Sequence, residues 1–258
     1  MSQPRAQIVM RDGLHYRRTA FEEGLTKTGY RVKIDVLDPT KEDVLVIWNR
    51  AHRGAEEAYR FEHVGARVLV AENGYLGKNW LGGNWYALSL GHHAGTGEWV
   101  VGDHARWDGL NVELAQWRVG GTETVILGQR GIGEYQVQSP DCWAENCQKR
   151  FGGRIRPHPG KDHDAATPLE KDLENAAQVI TWASSAALRA LLMGVPVWYE
   201  LPRWIGAEAA NHVTDLGLLP PKRDDAARLS MFRKLIWAQW QLDEIQSGAA
   251  FRHLLQAI

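Results

Sequence analysis

Hydrophobic positions along the chain alternate between strand and helix spacing. Residues 6–10 form a short apolar run, and Arg11-Asp12-Gly13 reads as its turn. Tyr16, Ala20, Phe21 and Leu25 then recur at helical spacing, in a segment that stops near Gly29. Residues 31–36 alternate like a strand. Residues 43–48 hold an unbroken apolar run, Val44-Leu45-Val46-Ile47, of the kind buried on both faces of a parallel sheet. A helix over 51–64 and a strand over 66–71 follow, which places Glu72, Asn73 and Gly74 just past a strand's C-terminal end. Open α/β sheets hold their ligands there.

From 74 to 102 glycine is dense and the periodicity is poor. Gly91-His92-His93-Ala94-Gly95-Thr96-Gly97 reads as an ordered loop, because it has neither the composition of a linker nor a charge run. A helix is predicted over 104–117, and the alternation restarts after Gly120-Gly121. A strand over 124–127, a glycine turn over 128–133, a helix over 140–151, a strand over 153–157 and a helix over 168–176 follow. Residues 177–200 read as strand, serine turn, helix ended by Gly194, and strand. The expected fold class is α/β, with two Rossmann-like doubly wound lobes and a C-terminal helical tail. The expected boundaries are 1–119, 120–224, and 225–258 for helices packing back across the lobes, with a cleft at the strand ends.

Composition narrows the class. A chain of 258 residues with 44% hydrophobic and 24% charged residues suits a globular protein. A net charge of −1 supplies no global basic field for nucleic acid. Local basic pairs (Arg17 with Arg18, Lys149 and Arg150 with Arg154, Lys222 with Arg223) read first as solvated faces. No apolar run approaches the roughly 20 residues of a membrane span, and the N-terminus lacks a signal peptide's apolar region. A cytoplasmic protein without a membrane span is expected. Cys142 and Cys147 lie five apart on a predicted helix and are expected to be reduced thiols. Of twelve tryptophans, Trp80, Trp85 and Trp204 adjoin predicted loops, where they can stack on a sugar or base.

Several motifs carry candidate chemistry. Ser184 and Ser185 open a helix, where hydroxyls and unpaired backbone N–H groups suit a phosphate. Arg156-Pro157-His158-Pro159 ends a strand, and its prolines stiffen the loop that presents the imidazole. Gly128-Gln129-Arg130-Gly131 follows a buried strand, so its glycines let backbone N–H groups approach a ligand. Glu72 above a strand end suits a general base, and Gly74 after it would let a substrate come close. His92 and His93, even with Asp103 and His104, lack metal-ligand spacing. Asp162-His163-Asp164 spells D-x-D but reads as a plain loop.

Glu72-Asn73-Gly74, His158-Pro159 and Ser184-Ser185 resemble the acidic-Gly, His-Pro and Ser-Ser motifs of bacterial capsule-type transferases and of the sialyltransferases that share their two-lobed GT-B architecture. Val125-Ile126-Leu127-Gly128-Gln129 and the run Ala190-Leu191-Leu192-Met193-Gly194-Val195-Pro196-Val197 are similar to segments of the capsule enzymes. The resemblance covers roughly 66–200. Asn73 stands where the group has a second acid.

The resemblance implies a metal-independent glycosyltransferase with an acceptor-side first lobe and a nucleotide-sugar-binding second lobe. Glu72 would be the base. Gln129, Arg130, Gly131, Arg156, His158, Pro159, Ser184 and Ser185 would hold the donor, a UDP-sugar being expected. Asp12, Asn73, Gly74, His92 and His93 would meet the acceptor. The compact chain also resembles bacteriophage transferases that glycosylate hydroxymethylated DNA bases, which would act in the host cytoplasm. The acceptor is therefore either modified DNA of the 5-hydroxymethylcytosine type, met by Arg17, Arg18 and the tryptophans of 80–85, or a capsule or surface glycan. A nucleotide-sugar epimerase is the alternative activity.

Overall fold

A computed structural model describes residues 3–93, 95–134, 137–160 and 167–256. The D-x-D segment 162–164 and Ala94 lie outside the described residues. The chain forms two compact units, 1–102 with 236–258, and 103–235. Elements are numbered in chain order.

The first unit contains β1 (Arg5–Val9), α1 (Arg18–Lys27), β2 (Arg31–Lys33), β3 (Val44–Trp48), α2 (Arg53–His63), β4 (Arg67–Asn73) and β5 (Trp85–Leu90), then β11 (Gln239–Gln241), α8 (Leu242–Gln246) and α9 (Ala249–Gln256). Its sheet runs β11-β5-β4-β3-β1-β2. The last four strands in that order are parallel, and β5 is antiparallel to both of its neighbours, β4 and β11.

Period-two alternation gives this sheet two apolar faces. Ala6, Ile8, Val44, Val46, Leu69, Ala71, Tyr86 and Leu88 pack with Phe21 and Leu25 of α1 and with Ile245 and Phe251 near the C-terminus. Leu45, Ile47, Val68 and Val70 take the other face with Ala58 and Phe61 of α2. The chain crosses from β2 back over β1 to β3, so the topological switch point lies between β1 and β3.

The second unit contains α3 (Ala105–Asp108), β6 (Glu123–Leu127), α4 (Trp143–Phe151), β7 (Arg154–Arg156), α5 (Leu169–Asp172), β8 (Ala176–Thr181), α6 (Ser185–Leu192), β9 (Val197–Tyr199), β10 (Asn211–His212) and α7 (Asp225–Leu235). Its sheet, β10-β9-β8-β6-β7, is parallel throughout, with the switch point between β6 and β8. Ile126, Ile180 and Trp198 build one face of its core with Trp143 and Cys147 of α4. Helix α6 ends in a Schellman turn: Gly194 donates to Leu191 O, Val195 donates to Ala190 O, and Gly194 takes φ +74°. A β-carbon at Gly194 would overlap the carbonyl of Gln116, so two constraints select glycine there.

The expected α/β class with two doubly wound lobes is the observed one. The units divide differently from the expected boundaries of 119/120 and 224/225. Trp107 stacks on Phe232 at 5.1 Å, which ties the 103–119 segment to α7. The tail is split, because α7 belongs to the second unit while residues 236–258 complete the first, where Trp240 and Gln239 extend its sheet.

Most of the helix expected over 104–117 is irregular. Its backbone instead bonds the end of α6, Ala115 N to Leu192 O and Arg118 N to Gly194 O. The helix expected over 168–176 is the single turn α5, and Ala176 opens β8. Strand β4 runs through Asn73, two residues beyond the expected end.

Both cysteines are free thiols, Cys142 exposed and Cys147 buried. Burial, with a smaller push from the Glu200 charge, raises the Cys147 thiol to about 11. A thiol-disulfide reagent at pH 8 is therefore expected to label one cysteine per chain quickly, at Cys142. Rapid labelling of two under native conditions contradicts the packing of α4.

Candidate functional site

In the second unit the strand register fixes one row of residues. Leu127 of β6 is opposite Arg156 of β7 and Thr181 of β8, and Thr181 is opposite Tyr199 of β9. The chain leaves all four strands in the same direction. The loops that start at Gly128, Pro157, Trp182 and Glu200 therefore share one sheet edge, with the β6/β8 switch point in the middle. Strand spacing is about 4.8 Å, so His158 and Ser184 emerge from strands roughly 10 Å apart, within the span of a nucleotide diphosphate.

The loops are tied to one another. Gln129 Oε1 accepts from Ala183 N–H at 2.7 Å, which joins the β6 and β8 loops across the switch point. Gly128 N–H donates to Arg156 O at 2.8 Å. Trp182 Nε1 donates to Val137 O at 2.9 Å and anchors the end of the β6 loop. Gly131 adopts φ +62°, a left-handed conformation suited to glycine.

The histidine loop sets a tautomer. His158 is exposed, and its Nδ1 accepts from Gly160 N–H at 2.9 Å. A neutral imidazole so held carries its proton on Nε2, which makes that atom a donor. Pro159 between them shapes the turn.

Ser184 is the N-cap of α6. Its extended backbone (φ −67°, ψ 138°) and its Oγ, which accepts from Ala186 N–H at 3.2 Å, start the helix. Thr181 Oγ1 accepts from Ser184 N–H at 2.8 Å, fixing the turn from the strand side. Ser185 is exposed at the first helical position. Ser184→Ala is expected to cost about 1 kcal/mol of stability, and Ser185→Ala a few tenths at most, as for a surface site. Urea unfolding measures both, and equal losses contradict the capping assignment.

Arg156 does not present a free charge. Its guanidinium pairs with Asp172, donates to Thr167 O at 3.1 Å, and is largely covered. It braces β7 against α5, which removes it from the donor contacts expected from sequence. Arg130 is exposed beside Gly131.

Glu200 also lies at this edge, and no sequence motif marks it. Its carboxylate accepts from Trp143 Nε1 at 2.5 Å and its backbone carbonyl meets His212 Nε2 at 3.0 Å. A lone acid after a strand carries no such signal, because both partners come from distant segments.

In the first unit Glu72 lies within β4, opposite Ala87 of β5, and is half-buried. The phenol of Tyr75 bonds to its carboxylate and accepts from Gly95 N–H at 3.2 Å. Burial first, then the Glu72 charge, holds that phenol well above its ordinary value, so Tyr75 remains a proton-bearing donor. Asn73 is exposed, opposite Tyr86. Asp12 is exposed, and its Oδ1 accepts from Gly13 N–H at 2.8 Å. His92 is half-buried.

Several expected acceptor contacts have other duties. His93 is 3% exposed, and its Nδ1 accepts from Arg50 N–H at 3.1 Å. Arg50 is itself buried; it pairs through both terminal nitrogens with Glu62 and donates to Gly91 O at 2.7 Å. His93 is thus a packing residue of the glycine loop. Gly74 faces Trp85, whose Cβ would lie 2.7 Å from an added β-carbon, so the glycine admits a tryptophan and not a substrate. Trp85 and Trp204 are core residues, 2% and 5% exposed, and Trp80 leans on Trp85 at 5.4 Å. Neither Trp85 nor Trp204 is an open stacking platform, and Trp80 is half-buried.

Among the described residues no group of three His, Cys, Asp or Glu is arranged to hold a metal, and no helix is long and apolar enough to cross a membrane.

No protein-family model matches the sequence, and no curated protein matches it. Two solved structures share the fold over nearly the whole chain. The beta Kdo 2,7 transferase of Thermosulfurimonas dismutans KpsC has a TM-score of 0.57 at 11% identity, covering 96% of this chain and 99% of that one. The beta Kdo 2,4 transferase of the same KpsC has a TM-score of 0.56 at 10% identity, covering 95% and 99%. At these identities the likeness establishes the two-lobed fold.

Proposed function

We propose that this chain transfers a sugar from a nucleotide-sugar donor to a hydroxyl of a glycan acceptor. The observation that carries the proposal is the row Leu127, Arg156, Thr181 and Tyr199, from which the Gln129, His158 and Ser184 loops leave side by side at the switch point of a parallel sheet. The shared fold of two transferases supports it.

In this proposal the second unit holds the donor. His158 Nε2–H, the hydroxyls of Ser184 and Ser185, and the N–H groups at the start of α6 take the phosphates, with Arg130 and Gly131 beside them. The acceptor oxygen attacks the anomeric carbon as its proton passes to Glu72. The bond from that carbon to the phosphate oxygen breaks, and the leaving nucleotide takes the electron pair. Tyr75 keeps the Glu72 carboxylate oriented. Asp12, Asn73 and His92 remain candidates for acceptor contact. A UDP-sugar is the first donor to test.

A modified-DNA acceptor would draw on Arg17, Arg18 and the tryptophans of 80–85. Arg18 is paired with Glu22 at 2.8 Å and Trp85 is buried, so the glycan acceptor is the one retained. Incubation with UDP-, CMP- and GDP-sugars and a mixed glycan acceptor is expected to release free nucleotide together with a glycosylated product. An epimerised donor with no free nucleotide would replace this proposal with an epimerase.

A further inference from the structure

The β1/β3 switch point of the first unit gathers aromatic and cationic groups that the sugar-transfer proposal does not use. His15 and Tyr16 follow β1, and Trp48 ends β3. Their rings meet edge to face, with centroids 4.9 Å apart for His15–Tyr16, 5.5 Å for His15–Trp48 and 4.9 Å for Tyr16–Trp48. Tyr86 adjoins Trp48 at 6.1 Å, and its hydroxyl donates to His15 O at 3.0 Å.

Lys78 reaches this cluster from the segment between β4 and β5. Its ammonium donates to His15 O at 2.9 Å and sits 5.7 Å from the centre of the Tyr86 ring. Arg17 is exposed at the end of the β1 loop. Burial, and then the Arg17 charge, hold the Lys78 ammonium below its ordinary value.

No carboxylate among the described residues pairs with either cation. Arg18 takes Glu22, and Asp12 is turned to the amide of Gly13. Two like charges kept together beside an aromatic surface favour an anionic ligand with a ring to lay on that surface. Tyr86 is the register partner of Asn73, so the cluster adjoins the strand end that carries Glu72.

We propose that Arg17 and Lys78 bind the acidic group of a saccharide whose ring lies against Tyr16 and Trp48, which makes the β1/β3 crevice a subsite for an anionic acceptor sugar. The acceptor role rests on the sugar-transfer proposal above; the binding does not. A sugar carboxylate and a sugar phosphate share this chemistry, and the test has an arm for each.

The full chain is titrated at low salt with N-acetylneuraminic acid, its methyl ester, glucose 6-phosphate and glucose, followed by ligand-observed NMR. At least one acid should bind roughly tenfold more tightly than its uncharged counterpart, as charge-assisted hydrogen bonds require. The better of the two identifies the source of the charge. The preference should shrink as salt rises, fall in part in Arg17→Gln and in Lys78→Met, and vanish in the double variant.

Equal binding of acid and uncharged sugar overturns the subsite. So does an acid preference that survives the double substitution, or no binding of any of the four. A nucleotide-induced thermal shift of wild-type size shows that the variants are folded. If no nucleotide shifts the wild-type protein, the donor assignment fails, and the contrast between acid and uncharged sugar still decides the subsite.

Discussion

Glu72→Gln is expected to lower the rate of sugar transfer by about 10²–10⁴-fold, the usual contribution of a positioned general base, with nucleotide affinity unchanged. Glutamine keeps the length and hydrogen-bonding capacity of the side chain but accepts no proton from the acceptor. The site of the change is local, because Glu72 is half-buried on β4 and its packing partners on that face belong to the first unit. Tyr75→Phe separates the carboxylate from its support. It removes the donor that orients Glu72 and leaves Gly95 N–H without its acceptor. Its rate loss should be smaller and should come with a shift of the acidic limb of the pH–rate profile to higher pH. A hydrogen bond to the charged form favours that form, so removing it makes the carboxyl easier to protonate. An unchanged pH profile would assign Tyr75 to packing alone. A transfer rate in Glu72→Gln within threefold of wild type would remove Glu72 from the chemistry.

His158→Ala is expected to cost about 10²–10³-fold in kcat, the scale seen when one donor to a developing charge is deleted. The structure supplies a reason for this residue and not merely this charge. Gly160 N–H occupies Nδ1, so the loop delivers a proton-bearing Nε2 without requiring a charged ring. Gly160 takes φ +67°, a conformation glycine adopts readily, so the residue that supplies this N–H also sets the turn that aims it at Nδ1. Because His158 is exposed, the alanine substitution should not unfold the protein, and a urea midpoint near wild type will confirm that the loss is chemical. If His158→Ala weakens nucleotide binding and transfer equally, the histidine holds the donor in the ground state and gives the transition state nothing further.

The parts of the fold legible in the sequence are those set by local pattern. The buried run of β3, the Ser-Ser start of α6 and its glycine stop follow from apolar continuity, a capping hydroxyl and a left-handed glycine, each decided within a few residues. The failures fall where pairing with a distant segment overrides a helical pattern. Residues 109–119 have apolar positions at near-helical spacing, yet their backbone pairs with Leu192 and Gly194 and Trp117 lies 4.1 Å from the Arg228 guanidinium. Strand β11 is three residues within a run that reads as helix. It forms because the edge of β5 is open to Gln239–Gln241.

The candidate site divides along the same line. Ser184, Gln129 and His158 could be placed because each follows a recognisable strand, and the parallel register then aligns them. The duties of His93, Gly74 and Arg156 depend on Arg50, Trp85 and Asp172, which no local spacing connects to them. Lys78 meets His15 across 63 positions of sequence, a contact visible only once β4 and β5 have brought their connecting segment over β1.

In the proposed reaction the edge formed by β6, β7 and β8 receives the nucleotide. Backbone amide chemical shifts recorded during titration of the whole chain with UDP, CMP and GDP test it directly. One of the three nucleotides should move the amides of Gly128–Gly131, His158, Gly160 and Ala183–Ala186 together, with a single saturation curve. Shifts confined to other segments, or no saturable shift with any of the three, would contradict it.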